Sequence, residues 1–466
     1  MKHTVTFLLL LLTTLANGQE ELFNKIYSKS NFDYGDAVIE RHDGKYLIAG
    51  SSRSQFETDY DVNILLVDSV GNLIWDKYIG QSPRMEFAYS LIETKDSNYV
   101  VSGRVNGSNP YLMKFNSSGN LIWEKEYPSA HWTEGFSVGQ TFDSGYFFVR
   151  PDTSTTLFVT NPIGDTLWTR RYNSVICHSV IQTADSGFAL TGNINPNTSN
   201  QDIILIKTNP VGDTLWTKTF GGVGSDDANS VQQLSDNGYL IAGNFDAQIS
   251  DGDMETFIIR TNSFGDTLWT QKYDLGIAHY IKECTNNNGY ILSTIRYVPG
   301  WFPSSDKYYI VITKLDPLGN IEWSRQFDGY TYSLGNNVTQ TSDGGYLLTG
   351  FVENSTSESD ILLIKLDSMG NYVLSVGDIS NSNNSQVLVF PNPTTDEVNF
   401  VVGSNSGKMI NQIQIFNLIG QEIKYSTGLS ETQFKINVTD FPTGLYIYKL
   451  TTSDKQIVSG KFIVRE

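Results

Sequence analysis

Asn209-Pro210-Val211-Gly212-Asp213-Thr214-Leu215-Trp216 is a tight turn running straight into a strand, and it decides the fold because it recurs. Asp or Asn in first place can hydrogen-bond the backbone two residues on. Pro or Ser suits the next place of a type I turn, and Gly takes the left-handed conformation that closes the hairpin. Copies stand at Asp68–Asn72, Asn116–Asn120, Asn161–Asp165, Asn262–Asp266, Asp316–Asn320 and Asp367–Asn371. A Trp strand follows six of the seven, at Trp75, Trp123, Trp168, Trp216, Trp269 and Trp323. Phe23, in Phe-Asn-Lys-Ile-Tyr, holds the place that Trp123 holds in Trp-Glu-Lys-Glu-Tyr.

A second turn lies in each unit, clearest at Ser235-Asp236-Asn237-Gly238-Tyr239 and Ser342-Asp343-Gly344-Gly345-Tyr346. A short apolar strand follows, then a variable loop, then a strand such as Asp360–Lys365. Four short strands in a unit of this length predict a propeller blade, and the β-branched and aromatic content favours strands over helices. The expected fold is all-β: a seven-bladed β-propeller over residues 19–376 and a small Ig-like β-sandwich. A β-solenoid is the alternative, but its rungs are shorter and lack two tight hairpins each. Either Leu22–Tyr27 or Tyr372–Val376 is expected to complete the last blade. Cys177 and Cys284 fall in non-neighbouring units, so free buried thiols are expected rather than a disulfide.

The ends carry different signals. Lys2 and His3, the apolar run Phe7–Leu12 and Ala16-Asn17-Gly18 read as a signal peptide over residues 1–18. No later apolar run is long enough to span a membrane. The net charge of −18 repels phosphate backbones and argues against a nucleic-acid partner, although acidity also serves solubility. Residues 377–386 (GDISNSNNSQ) read as a polar linker.

Residues 387–466 alternate like a small sandwich. Phe390-Pro391-Asn392-Pro393, then Ile415–Ile423 with Gly420, then Phe441-Pro442-Thr443-Gly444-Leu445-Tyr446, then Lys461-Phe462-Ile463-Val464 succeed one another. This series resembles the type A C-terminal sorting domain of the type IX secretion system, with Phe441 in place of the usual Leu. The resemblance implies Pro391, Asn392, Pro393, Gly420, Gly444, Tyr446 and Lys461 as sorting-motif residues. It also implies a Bacteroidota-type route through the periplasm to the cell surface or medium, with the secretion machinery as partner.

Chemistry is harder to read. No two of the five His residues stand at metal-ligand spacing, and no nucleophile elbow, Walker loop or dinucleotide fingerprint occurs. No catalytic residue and no cofactor is assigned. Asp251, Asp253 and Glu255 alternate as in calcium loops, yet the rest of such a loop is missing and a solvated acidic loop explains them. The short Asp-Ser/Thr-apolar triplets Asp165-Thr166-Leu167, Asp213-Thr214-Leu215, Asp266-Thr267-Leu268 and Asp367-Ser368-Met369 resemble the O-glycosylation sites of Bacteroidota, and turn and strand chemistry explains the same residues without a sugar. Short stiff turns lie on one face of a four-stranded meander, which leaves the variable loops on the other. Trp132, with His131 and Glu134, and Trp301, with Phe302, fall in those loops and are the candidate ligand-binding residues for a glycan or protein. The expected function is an exported, surface-attached or secreted binding module. A carbohydrate-active hydrolase or lyase using carboxylates, and a structural surface component, are the alternatives.

Overall fold

The computed structural model describes residues 22–28, 32–53, 59–80, 84–106, 109–127, 137–151, 154–196, 200–245, 255–285, 288–298, 307–327, 332–353, 358–372, 387–390, 394–402, 409–417, 421–453 and 457–465. The chain divides into two compact units, Met1–Leu374 and Ser375–Glu466.

In the first unit, described strands form five antiparallel sheets of four strands and one of eight. The eight-stranded sheet is two four-stranded sets joined by a single parallel bridge, Phe32 to Ser359. Taken in chain order, set 1 is Phe32–Glu40, Tyr46–Arg53, Tyr60–Val67 and Leu73–Ile79. Sets 2 to 6 repeat that order. Set 7 is Tyr332–Gln340, Tyr346–Glu353, Ser359–Leu366 and, as its fourth strand, Phe23–Tyr27. The N-terminal strand therefore completes the last set, with Phe23 opposite Lys365 just as Trp216 is opposite Lys207. Of the rival segment, Tyr372 packs on Phe327 and residues 373–376 lie outside the described residues.

The repeated turn forms as its sequence requires. Asn209 Oδ1 accepts from the N–H groups of Val211 and Asp213 at 3.1 and 2.8 Å, and Gly212 has φ +82°. That glycine also has a packing role. A Cβ on Gly265 would lie 2.7 Å from Trp216, and the same relation ties Gly212 to Trp168 and Gly319 to Trp269. Each half-buried Trp thus lies on the turn of the next set, which admits no side chain there. Two residues on, Lys218 donates to Asp266 of that turn at 2.8 Å, and Lys125 to Asp165 at 2.8 Å. Four residues on, Tyr127 and Tyr172 donate to the carbonyls of Gly164 and Gly212 at 2.7 and 2.8 Å. One edge strand therefore supplies a ring, a cation and a hydroxyl to its neighbour, and this fixes the period of the sequence.

The second turn has a buried function. Lys207 and Lys365 end their strands almost wholly buried, 2.9 and 2.8 Å from Asp185 and Asp343. Burial alone would raise the Asp343 carboxyl. Bonds from Lys365, Thr341 and the Gly345 N–H outweigh it and hold the group below the usual carboxylate range. Cys177 and Cys284 are free and buried.

The second unit pairs two antiparallel sheets. One is Val387–Phe390, Glu397–Val402 and Gln433–Asn437; the other is Ile410–Asn417, Glu422–Glu431, Gly444–Thr452 and Ile457–Val464. Phe400, Ile413, Ile415, Tyr448, Leu450 and Phe462 fill the space between them.

Candidate functional site

The first strand of each set in the larger unit carries the site. In six of the seven, its register with the second strand skips one residue, the mark of a β-bulge. The skipped residues are Asp36, Tyr89, His178, Asn229, His279 and Asn336. In set 3 the equivalent position lies outside the described residues. A bulge re-aims a side chain that would otherwise alternate with its neighbours. All six point into one cavity of about 1290 Å³, lined by the first strands of all seven sets.

A small residue precedes each bulge: Gly35, Ala88, Cys177, Ala228, Ala278 and Gly335. A Cβ on Gly35 would meet Thr349 Oγ1 at 2.6 Å and the Gly350 carbonyl oxygen at 2.7 Å, so the first strand packs closely on set 7 there. Serines beyond the bulges join adjacent sets: Ser137 Oγ accepts from Val180 N–H at 3.3 Å and Ser179 Oγ from Val231 N–H at 3.3 Å.

At the stiff-turn end of the cavity, Glu40, Glu93, Gln140, Gln182, Gln233, Glu283 and Gln340 close the seven strands. The side chains of six of these, Glu40, Glu93, Gln140, Gln182, Gln233 and Gln340, are bonded to the turn of the preceding set. Lys95 N–H donates to Gln140 at 2.9 Å, Phe142 N–H to Gln182 at 2.9 Å, Ala184 N–H to Gln233 at 2.8 Å and Thr285 N–H to Gln340 at 2.7 Å. Ser342 N–H of set 7 donates to Glu40 of set 1 at 2.6 Å, and His42 Nδ1 lies 3.2 Å from Glu93 Oε1.

Four of the bulge residues are tied to neighbouring groups. Asn336 Nδ2 donates to Asp36 Oδ1 and to the Gly35 carbonyl, both at 3.1 Å. Asn229 Nδ2 donates to the Ala278 carbonyl at 2.8 Å, and His178 Nε2 lies 3.2 Å from Asp227 Oδ2. Burial pushes the Asp36 carboxyl up to about 7 and the His279 imidazole down to about 4. At neutral pH His279 is therefore uncharged and Asp36 is partly protonated.

The Asp36 shift has a measurable sign. Its carboxyl ionises near pH 4 in the unfolded chain and near pH 7 in the fold. Stability tied to the protonated form is therefore complete below about pH 4 and lost as pH rises to about 7. The whole shift corresponds to about 4 kcal/mol, and solvent reaching the half-buried carboxyl through the cavity screens it to roughly half. Asp36→Asn is expected to match the parent protein at about pH 4 and to exceed it by about 2 kcal/mol at about pH 8. Denaturant midpoints across that range check it, and a constant difference would contradict it.

Among the described residues, no group of three or more His, Cys, Asp or Glu is placed to hold a metal ion. Asp251 and Asp253 of the calcium candidate lie outside the described residues, and Glu255 stands 3.8 Å from Lys272. His131, Trp132, Glu134, Trp301 and Phe302 also lie outside them. Of the sorting-motif residues, Gly444 opens a strand, Tyr446 is buried and donates to the Pro442 carbonyl at 2.8 Å, and Lys461 is exposed. Pro391, Asn392, Pro393 and Gly420 are outside the described residues. The bulge residues escaped the sequence reading. A signal for them exists: a small residue stands five places before each strand-ending Glu or Gln, and Gly135-Phe136-Ser137 keeps that pattern in unit 3.

The chain is a unit of repeated four-stranded sheets followed by a second unit, a small sandwich. Residues 388–465 match the family described as Secretion system C-terminal sorting domain, so the tail is such a domain and the chain is exported to the cell surface or extracellular space. The chain is 33% identical over 81 residues to the ulvan lyase NLR42 of Nonlabens ulvanivorans. That stretch is 17% of this chain and spans only 14% of the relative, so it carries no activity across. A Bacteroides caccae protein of unknown function is similar over 61% of this chain and 93% of its own, at 12% identity and TM-score 0.40. Chaetomium thermophilum Raptor is similar over 72% of this chain and 28% of its own, at 8% identity and TM-score 0.49. Likenesses this loose bear on neither fold nor function.

Proposed function

We propose that the repeat unit is a closed seven-bladed β-propeller which, delivered to the cell surface or medium by its sorting domain, binds a ligand in the central cavity without turning it over. The observation that carries this reading is the bulge repeated at one register in six sets, with chemically different side chains turned into one cavity. Packing alone calls for repeated residues at a repeated position, as the Trp row has. Diversity at a fixed, re-aimed position is what recognition calls for.

Closure is supported by the bond from Ser342 to Glu40, which repeats between sets 7 and 1 the contact made between other neighbours. It is supported again by Tyr27, whose hydroxyl donates to the Gly71 carbonyl at 2.8 Å as Tyr127 does to Gly164. Against catalysis stands the use of carboxylates. A glycosidase needs two across one bond, whereas Glu40 and Glu93 are engaged at the turn end. Among the described residues that line the cavity, that leaves Asp36 as the carboxylate at bulge level. By the strand count of the repeat alone, His131, Trp132, Glu134, Trp301 and Phe302 fall in the variable loops and are proposed as further ligand contacts.

The test is a screen of the mature chain against bacterial and host polysaccharides and surface proteins, reading binding and turnover together. Saturable binding that leaves the ligand intact is expected. Product release lost in Asp36→Asn would replace this reading with the enzymatic one.

A further inference from the structure

We propose that the cavity takes a neutral, hydroxyl-rich ligand, a segment of an uncharged saccharide chain, held at the level of the bulges by Tyr89, His178, Asn229, His279 and Asn336. This rests on the reading of the cavity as the ligand site and adds the chemical class of what fills it.

Three observations carry it. The first is the kind of group presented. Phenol, imidazole and carboxamide each offer donor and acceptor capacity. Sugar hydroxyls do the same, so a ring of such groups matches a polyol at many orientations. A peptide offers donors and acceptors in fixed alternation along its backbone, and it takes specificity from pockets for alternate side chains.

The second is charge. Neither Tyr89 nor the two carboxamides carry charge, and His279 is neutral at physiological pH. The cations that line the cavity each have a partner in its wall, and Arg104 also lies 5.9 Å from the centre of the Tyr89 ring. Arg104 stacks on Phe87 with its guanidinium carbon 4.6 Å from the ring centre, and Lys282 donates to Thr339 Oγ1 at 2.9 Å. Among the described residues, a phosphate or uronate would enter beside Asp36 and meet only basic groups that already have partners in the wall, His178 with Asp227 included, which disfavours anions.

The third is the wall next to the bulges. Ile39, Ile92 and Ile181, three residues beyond their bulges, line the same cavity and keep partial exposure. Apolar surface adjoining a belt of hydrogen-bonding groups suits the C–H faces of sugar rings. The volume of about 1290 Å³ exceeds what a single drug-sized ligand needs, so a run of sugar units fits better than one.

The test uses the mature full-length chain and calorimetric titration with three probes of similar length: short unbranched neutral hexose oligosaccharides, uronic-acid oligosaccharides, and an uncharged peptide. Tyr89→Phe removes one hydroxyl and leaves the ring in place. His279→Gln keeps hydrogen bonding at a changed position. The neutral oligosaccharides are expected to bind most tightly. Tyr89→Phe is expected to weaken them roughly three- to tenfold, as loss of one uncharged hydrogen bond does, and the double variant by more than either single one. Tighter binding of the uronate or the peptide, weakened by the same variants, would overturn the ligand class while leaving the cavity as the site. Neutral-sugar binding untouched by either variant would overturn both the class and the site. No binding by any of the three would overturn the saccharide assignment. Thermal unfolding of each variant, unchanged from the parent, shows that the losses are local.

Discussion

Phe23→Ala is expected to destabilise the repeat unit by about 3–5 kcal/mol, at least as much as Trp216→Ala in the middle of the chain, for which about 3 kcal/mol is expected. Phe23 is the more enclosed of the two. It packs on Tyr46 with ring centres 6.0 Å apart, and a Cβ on Gly71 would lie 2.9 Å from its ring. Its strand pairs with Ser359–Leu366 over five residues, from Phe23–Lys365 to Tyr27–Ile361. In a closed ring this strand holds the first turn of set 1 against set 7, and its loss opens the circle. In an open array it would be a terminal edge, and truncation there would cost less than about 1 kcal/mol, since the ends of repeat arrays fray. Denaturant unfolding of the mature chain, monitored on the repeat-unit transition, separates the two cases. Tyr27→Phe serves as the gentler control and is expected to cost about 1 kcal/mol through the lost bond to Gly71.

The parts legible in the sequence are those whose chemistry is local and repeated. Asn209, Gly212 and Trp216 announce a turn and a strand because the side chain that caps the turn and the glycine that closes it sit within five residues. The inter-set role of the same glycine was hidden, since nothing in one copy says that Trp216 lies on Gly265. The buried pair of Lys207 with Asp185 was equally hidden. Both residues recur, but a Lys ending a strand reads as solvated until the fold places it beside the turn. The candidate site was illegible for the opposite reason. Asp36, Tyr89, His178, Asn229, His279 and Asn336 share a position but not one residue type, so a search for self-similarity passes over them. Their frame is repetitive, a small residue before and a Glu or Gln after, and reading the frame instead of the residue would have found them. The sorting tail needed no geometry, because its motifs are specific in order and spacing.

Deleting Val387–Glu466 is expected to abolish surface delivery while leaving the repeat unit folded in the periplasm. Each compact unit has a core of its own, and Phe400, Ile413, Tyr448 and Phe462 belong to that of the tail sandwich. The sorting-domain match to residues 388–465 assigns the address to the part removed. Cell fractionation with protease shaving of intact cells measures the outcome. The deleted form should resist shaving and appear in the periplasmic fraction with the same protease-resistant core as the parent. Delivery at the parental level would refute the assignment. A point variant separates the address from the fold that displays it. Tyr446 is buried and stacked with Phe462, ring centres 5.6 Å apart, so Tyr446→Ala would unfold the sandwich and lose delivery for a trivial reason. Lys461 is exposed on the strand that pairs with Gly444–Thr452, where truncation leaves packing intact. Lys461→Ala is expected to keep the tail folded and still lower delivery, because an exposed cation on a rigid strand is available to a receptor in a way that a buried ring is not.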